Sequence, residues 1–210
     1  MITLAIDTSH HVAVGIARDG EPGPSKVVAD ARAHVEQLMP SVQRVCAEMG
    51  VALTDADEFV VGMGPGPYTG LRVGIATGAT LAAVGGRALR RICSLDAIAL
   101  AVDAQGEFLV ASDARRKELF WARYVDGVRD GEPQVGTPDT LPRVPVYGDI
   151  PDEYRSQVEF AGPVSFDAAI LAARHSQLPA AGEEPYYLRA ADATVPGKPK
   201  SVLPRLKVQR

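Results

Sequence analysis

Between residues 66 and 82 a small residue recurs at every fourth position: Gly66, Gly70, Gly74, Gly78 and Ala82. Residues four apart share one face of a helix, so the stretch VGMGPGPYTGLRVGIATGATLAAVGG (61–86) predicts a helix with one side stripped of side chains. Each glycine costs a helix up to ~1 kcal/mol relative to alanine, and close approach of another backbone is what offsets that loss. The helix's own sheet or a second protein can supply it, and spacing alone does not separate the two. Pro67 suits the first helical position and Gly85-Gly86 the end, which sets the helix at 67–84. The preceding Gly64-Pro65-Gly66-Pro67 reads as a rigid turn. It lacks the lysine of a Walker loop, and Thr69 stands where a dinucleotide fingerprint needs its third glycine.

The segments around this helix complete a pattern. ITLAIDTS and HVAVGIARDG read as strands, Asp19-Gly20 as a hairpin turn, and SKVVADAR as a third strand. A helix over 34–49 follows, with Leu38, Val42 and Val45 on one face, Val35, Met39 and Met49 beside it, and Pro40 inside, where a kink or a start is expected. EFVVGMG is a fourth strand, ALRRICS a fifth, and SLDAIALAV a helix opened by Ser94. That order, βββαβαβα, is the topology of one lobe of the actin-like, or ribonuclease-H-like, α/β fold. From residue 103 the pattern restarts with EFLVASDAR and ELFWARYVDG as paired strands closed by Asp126-Gly127. Beyond Gly131 the chain is rich in proline and glycine, with VPVYGD a short strand and 165–175 a helix. The expected organisation is an N-terminal lobe over 1–102, a smaller and degenerate C-terminal lobe over 103–190, and an extended basic tail over 191–210. Mixed sheets flanked by helices are expected in both lobes, as distant duplicates of one another.

Composition limits the partners. A net charge of −4 gives the chain no global attraction for nucleic acid. The distribution is uneven, however: from Arg189 onward Lys198, Lys200, Arg205, Lys207 and Arg210 face Asp192 alone. Such a tail can touch RNA phosphates or an acidic partner, or simply be solvated. Cys46 and Cys93 have no neighbouring cysteine and sit in apolar stretches, so both read as reduced core residues. No apolar run approaches the ~20 residues that span a bilayer, and the N-terminus reads as a strand rather than a leader. A cytoplasmic protein without membrane contact is expected.

The residues offer little chemistry of their own. Asp7-Thr8-Ser9 closes the first strand in the manner of the first phosphate element of actin-like ATPases. Its counterpart in the second lobe would be Asp113, but Ala114, Arg115 and Arg116 follow where glycines would admit a phosphate. The third, adenosine-binding element would fall in EFAGPVSFDAA, which has Gly162-Pro163 in place of paired glycines. Asp7, Thr8 and Ser9 are therefore the candidates for a vestigial nucleotide cleft. No catalytic residue and no cofactor is assigned. His10 and His11, placed on a strand, would face opposite sides, and His34 and His175 have no partner at metal-binding spacing, so no metal site is expected. There is no G-x-S-x-G elbow.

Taken in order, LAIDTS, HVEQLMP, VGMGPGPYTGLRVGIATGATLA, SLDAIA, ASDARRKELFWARY and PYYLRAADAT resemble the bacterial TsaB (YeaZ) family over most of the chain, least between 128 and 162. Family members commonly carry His-Ser-Glu where this chain has His34-Val35-Glu36. The resemblance implies a noncatalytic scaffold subunit in the making of threonylcarbamoyladenosine at position 37 of tRNAs that read codons beginning with A. It implies binding to a TsaD-like transferase, assembly with a TsaE-like ATPase, contact with tRNA through the complex, and a homodimer when alone. It also implies that the first two helices of the N-terminal lobe meet the partner or a second copy; the glycine row and the apolar excess on the first helix make Leu38, Met39, Val42, Gly70, Gly74 and Gly78 the expected interface residues. The competing readings are an ATP-dependent kinase of the same fold and, less well supported, a metal-dependent glycoprotease.

Overall fold

The computed structural model describes residues 1–28 and 34–189. The expected extended basic tail over 191–210 lies outside the described residues. Ile2–Asp7 (β1), Val12–Arg18 (β2) and Glu21–Val28 (β3) form an antiparallel run. Asp19 and Gly20, with φ of 53° and 81°, make the left-handed pair of a two-residue hairpin turn between β2 and β3. His34–Met49 (α1) runs through Pro40. Glu58–Gly62 (β4), Tyr68–Gly85 (α2) and Ala88–Ile92 (β5) then add two parallel strands on the free edge of β1. The resulting order is β3-β2-β1-β4-β5. Pro67 is the residue before the first helical turn of α2, one position earlier than expected, and Gly86 ends the helix at φ 62°.

After Ser94–Ala99 (α3) the scheme repeats. Glu107–Asp113 (β6), Leu119–Val125 (β7) and Val128–Gly136 (β8) are antiparallel. Val146–Asp149 (β9), Asp152–Arg155 (α4) and Phe160–Gly162 (β10) follow, with β9 parallel to β6 and β10 parallel to β9. The second order, β10-β9-β6-β7-β8, is the first with each strand replaced by its counterpart. Two such sheets flanked by helices are the two-lobed actin-like fold. Strand β8 differs from the expectation of irregular chain beyond Gly131. It lies at a sheet edge and is mostly exposed, a place where Pro133 lacks no needed donor and Gly131 is tolerated.

Alternation along the strands sorts the two faces of the first sheet. Leu4, Ile6, Val12, Val14 and Ile16 point one way and pack with Leu38, Val42 and Val45 of α1. Ala5, Ala13 and Ala17 point the other way and pack with Ala168, Leu171 and Ala172 of Ala168–Arg174 (α5). Helix α5 thus leaves its own half of the chain and covers the N-terminal sheet. Gly15 makes this approach possible: a Cβ there would stand 2.1 Å from the Ala169 nitrogen. Asp167 caps α5 by accepting from the Ala169 N–H at 2.8 Å. At the far end of α5, His175 Nε2 lies 3.0 Å from Glu58 Oε2 at the start of β4.

The glycine row of α2 faces inward, and this corrects the expected partner surface. Gly70, Gly74 and Gly78 are buried. A Cβ on Gly74 would fall 2.2 Å from Thr8 Oγ1, and one on Gly78 2.2 Å from Val61 Cγ1. Leu38 and Val42 are buried in the chain's own core, and Met39 packs partly against it. The row is bare because Thr8, Ile6 and Val61 occupy it, so Leu38, Val42, Gly70, Gly74 and Gly78 are spent inside the protein and Met39 alone of the six stays partly exposed. Gly74→Leu should accordingly lower the melting temperature, with overpacking costing ~1–3 kcal/mol. A melting curve for the variant superimposable on wild type would contradict this packing.

Candidate functional site

Both sheets present the C-terminal ends of their central strands to one cleft, the place where open α/β sheets hold ligands. It encloses about 300 Å³. Asp7, Ser9, His10 and Ser94 line it from the first lobe, and Ser112, Asp149 and Ser165 from the second half of the chain. Pro65, Leu95, Ile98 and Phe166 supply apolar wall.

Asp7 ends β1 and is 3% exposed. Its Oδ1 accepts from the Ser9 N–H at 2.8 Å and from the Ser9 hydroxyl, a local side-chain turn that closes the strand end. Its Oδ2 accepts from the Ser94 hydroxyl, which itself accepts from the Gly64 N–H at 3.0 Å. Gly62 must be glycine for this, since a Cβ there would sit 1.7 Å from Asp7 Oδ2. Thr8 turns the other way. Its hydroxyl donates to the Gly70 carbonyl at 2.7 Å and accepts from the Gly74 N–H at 3.1 Å, so it is inserted into the hydrogen-bond ladder of α2. The side-chain oxygens of all three residues of the nucleotide-type element are thus engaged within the chain. Sequence reasoning missed Ser94 as the partner of Asp7. Its position at the start of a helix after a parallel strand was the available signal.

The Gly64-Pro65-Gly66-Pro67 turn, with Met63 before it, meets three other segments. Ser94 N–H donates to the Gly64 carbonyl at 2.8 Å, and Tyr186 N–H donates to the Met63 carbonyl at 2.9 Å. A Cβ on Gly66 would lie 2.5 Å from the Ser9 carbonyl oxygen. The turn therefore fixes the bend after β1, the start of α3 and the segment around Tyr186, while Pro65 walls the cleft.

The counterpart turn in the second lobe is built without glycine. Arg115, Arg116 and Lys117 all take the left-handed conformation, with φ of 59°, 53° and 64°. Asp113 Oδ1 accepts from the Arg115 N–H at 2.7 Å, and Arg189 donates to the Ala114 carbonyl at 2.7 Å while pairing with Glu118. These contacts hold a conformation that ordinarily favours glycine, yet three long basic side chains remain where a phosphate cradle would present bare backbone.

His10 and His11 correct another expectation. They occupy the bend between β1 and β2 rather than a strand, and their rings lie 4.2 Å apart between centroids instead of facing opposite sides. His10 Nε2 is 3.5 Å from Asp149 Oδ2 at the end of β9. Cys46 and Cys93 are buried free thiols, and burial pushes the Cys93 thiol up to about 12, which keeps it protonated and unreactive at neutral pH.

Beside the cleft, Asp96 of α3 is 1% exposed. Its Oδ1 accepts from the Tyr124 hydroxyl at 2.8 Å and from Arg129 Nε at 2.9 Å, which ties the first half of the chain to β7 and β8. Arg129 also reaches the Tyr186 hydroxyl at 3.3 Å and lies over its ring. Burial raises the Asp96 carboxyl above its ordinary 3.8, against the lowering effect of Arg129. Among the described residues no helix is long and apolar enough to cross a membrane.

A family model for tRNA N6-adenosine threonylcarbamoyltransferase, TsaD, matches residues 27–137, more than half of the chain. A protein of Mycobacterium leprae is 49% identical over 142 residues, covering 65% of this chain and 39% of its own length. The Escherichia coli tRNA threonylcarbamoyladenosine biosynthesis protein TsaB is 32% identical over 142 residues, covering 63% of this chain and 60% of its own length. The chain belongs to this family, in its TsaB (YeaZ) branch. It spans less than two thirds of the length of either relative. A solved Pseudomonas aeruginosa structure, described as similar to peptidase YEAZ, superposes with a TM-score of 0.73 at 23% identity over 90% of this chain and 99% of its own. That likeness places the TsaB-type chain in the same fold.

Proposed function

We propose that this TsaB-family chain is a noncatalytic scaffold in the cytoplasmic complex that adds threonylcarbamoyl to adenosine 37 of tRNAs reading codons that begin with A. It acts by binding a TsaD-like transferase, with a TsaE-like ATPase joining the assembly, and it pairs with a second copy of itself when the transferase is absent. One observation carries the noncatalytic part of this reading. At the turn after Asp113, where an active nucleotide cleft presents glycine backbone to a phosphate, Arg115, Arg116 and Lys117 stand in the left-handed conformation with long basic side chains. Family membership supports the pathway. Because the glycine row is consumed internally, the partner surface on α1 and α2 falls to their outward residues, among them Gln43, Arg72, Ala76 and Thr80, all exposed.

Purification of the chain from its native host should bring a TsaD-like protein with it. Removal of the chain should deplete threonylcarbamoyladenosine from the matching tRNAs, and the isolated chain should show no ATP turnover. Steady-state ATP hydrolysis that disappears in Asp7→Ala would overturn the scaffold reading in favour of an actin-like-fold kinase.

A further inference from the structure

His10, His11 and Asp149 cluster at one side of the cleft. Each offers one ligand atom, and these atoms all lie within 4.8 Å of one another. One pair, His10 Nε2 and Asp149 Oδ2, is 3.5 Å apart. Two imidazoles and a carboxylate are a donor set that suits zinc and its first-row neighbours, with bonds of ~2.0–2.2 Å. Ligand atoms around a tetrahedral ion at such bond lengths stand about 3.3 Å apart, so the observed pair is already near that spacing. The side chains of His10 and Asp149 are 34% and 62% exposed, which leaves them free to close the remaining distance and leaves the ion an entry path. Magnesium, by contrast, prefers an octahedron of oxygens.

The structure supplies a second element, the position of the three donors. His10 and His11 come from the bend after β1 in the first sheet, whereas Asp149 ends β9 in the second. All three line the same cleft. We propose that they bind one divalent first-row transition metal, zinc foremost, which bridges the two lobes across the cleft. Three protein ligands leave a fourth position for water or for an oxygen donor of a cleft ligand, with Ser112 and Ser165 in the adjoining wall. Because the ligands belong to different lobes, binding stabilises the juxtaposed arrangement over any in which the sheets move apart. The site stands independently of the scaffold reading.

The test uses the untagged full chain, dialysed against chelator. Zinc is titrated calorimetrically, cobalt(II) is followed by its visible absorption, and melting curves are recorded with and without zinc. One saturable equivalent is expected for each metal, with a rise in melting temperature that magnesium at the same concentration does not give. His10→Gln and Asp149→Asn should each weaken binding by about tenfold or more and abolish the thermal gain. Melting curves of the metal-free variants that match wild type establish that both fold. Absence of a saturable equivalent in wild type overturns the site, as does wild-type affinity in both variants. Binding lost in His10→Gln but unchanged in Asp149→Asn overturns the bridge between lobes.

Discussion

Replacing Arg129 with alanine is expected to destabilise the protein by about 3–5 kcal/mol, the cost of leaving a buried charge without its partner. In a chain of this size that corresponds to a fall in melting temperature of roughly 10 °C. Asp96 is 1% exposed, its Oδ2 already accepts no hydrogen bond, and Oδ1 would keep only the Tyr124 hydroxyl. The deficit should depend on pH in a definite direction. Burial raises the folded-state Asp96 carboxyl above 3.8, and Arg129 opposes that rise. Without Arg129 the carboxyl moves further up, so the folded variant binds a proton more tightly than the unfolded chain does. Stability of the variant then falls as pH rises through that window and recovers on acidification. Relative to wild type, the loss should be greatest at neutral pH and smaller at acidic pH, where the raised carboxyl is protonated. A second change, Asp96→Asn, should recover part of it at neutral pH, because the amide carries no charge to strand. Melting curves of the wild type and the two variants at two pH values check both points, and a pH-independent deficit would rule out the ionic cause.

Gly15→Val should be equally severe for a different reason. The added Cβ would lie 2.1 Å from the Ala169 nitrogen and 2.2 Å from the Ala168 carbonyl carbon. Backbone at the start of a helix does not rotate out of the way as a side chain does, so α5 must lift off β2. Lifting it uncovers Ala5, Ala13, Ala17 and Val60 together with Leu171. The expected result is loss of cooperative unfolding, or a cost at or above the ~3 kcal/mol upper range of overpacking. Gly23→Ala is an instructive comparison. Its Cβ would meet chiefly the flexible end of Met49, and this variant should fold with a modest change in melting temperature.

Much of this architecture is legible in the residues because its signals are local. Asp19-Gly20 marks a hairpin, alternating Leu4, Ile6 and Ala5 mark a strand with two different faces, and the row from Gly66 to Ala82 marks a helix in close contact with backbone. What that row touches is not local. Its occupants, Thr8 and Val61, are residues whose own patterns announce only strand and strand end, and the spacing of α2 is the same for a sheet as for a foreign helix. His10-His11 escaped for a similar reason. The pair directly follows a strand end, and a one-element error of placement turns side-by-side rings into opposed ones. Asp149 gives no sign in sequence that it belongs with them, since 137 residues lie between it and His11 and the pairing of β9 with β6 brings it to the cleft. Strand β8 was hidden by its composition. An exposed edge strand is held by β7 alone, and side-chain alternation is weakly imposed where neither face is deeply buried.

The reach of α5 back onto β2 has a consequence for how the protein is made. Strands β1 to β5 leave the ribosome within the first 92 residues, and one face of their sheet finds its cover at once in α1 and α2. The opposite face, carrying Ala5, Ala13, Gly15 and Ala17, has to wait for residues 168–174. At ~5–20 residues per second that wait lasts several seconds. During it the nascent chain displays a flat, small-residue apolar surface to whatever is nearby, and chaperone capture or premature self-pairing competes with folding at that stage. Synthesis of the second sheet is therefore a precondition for finishing the first.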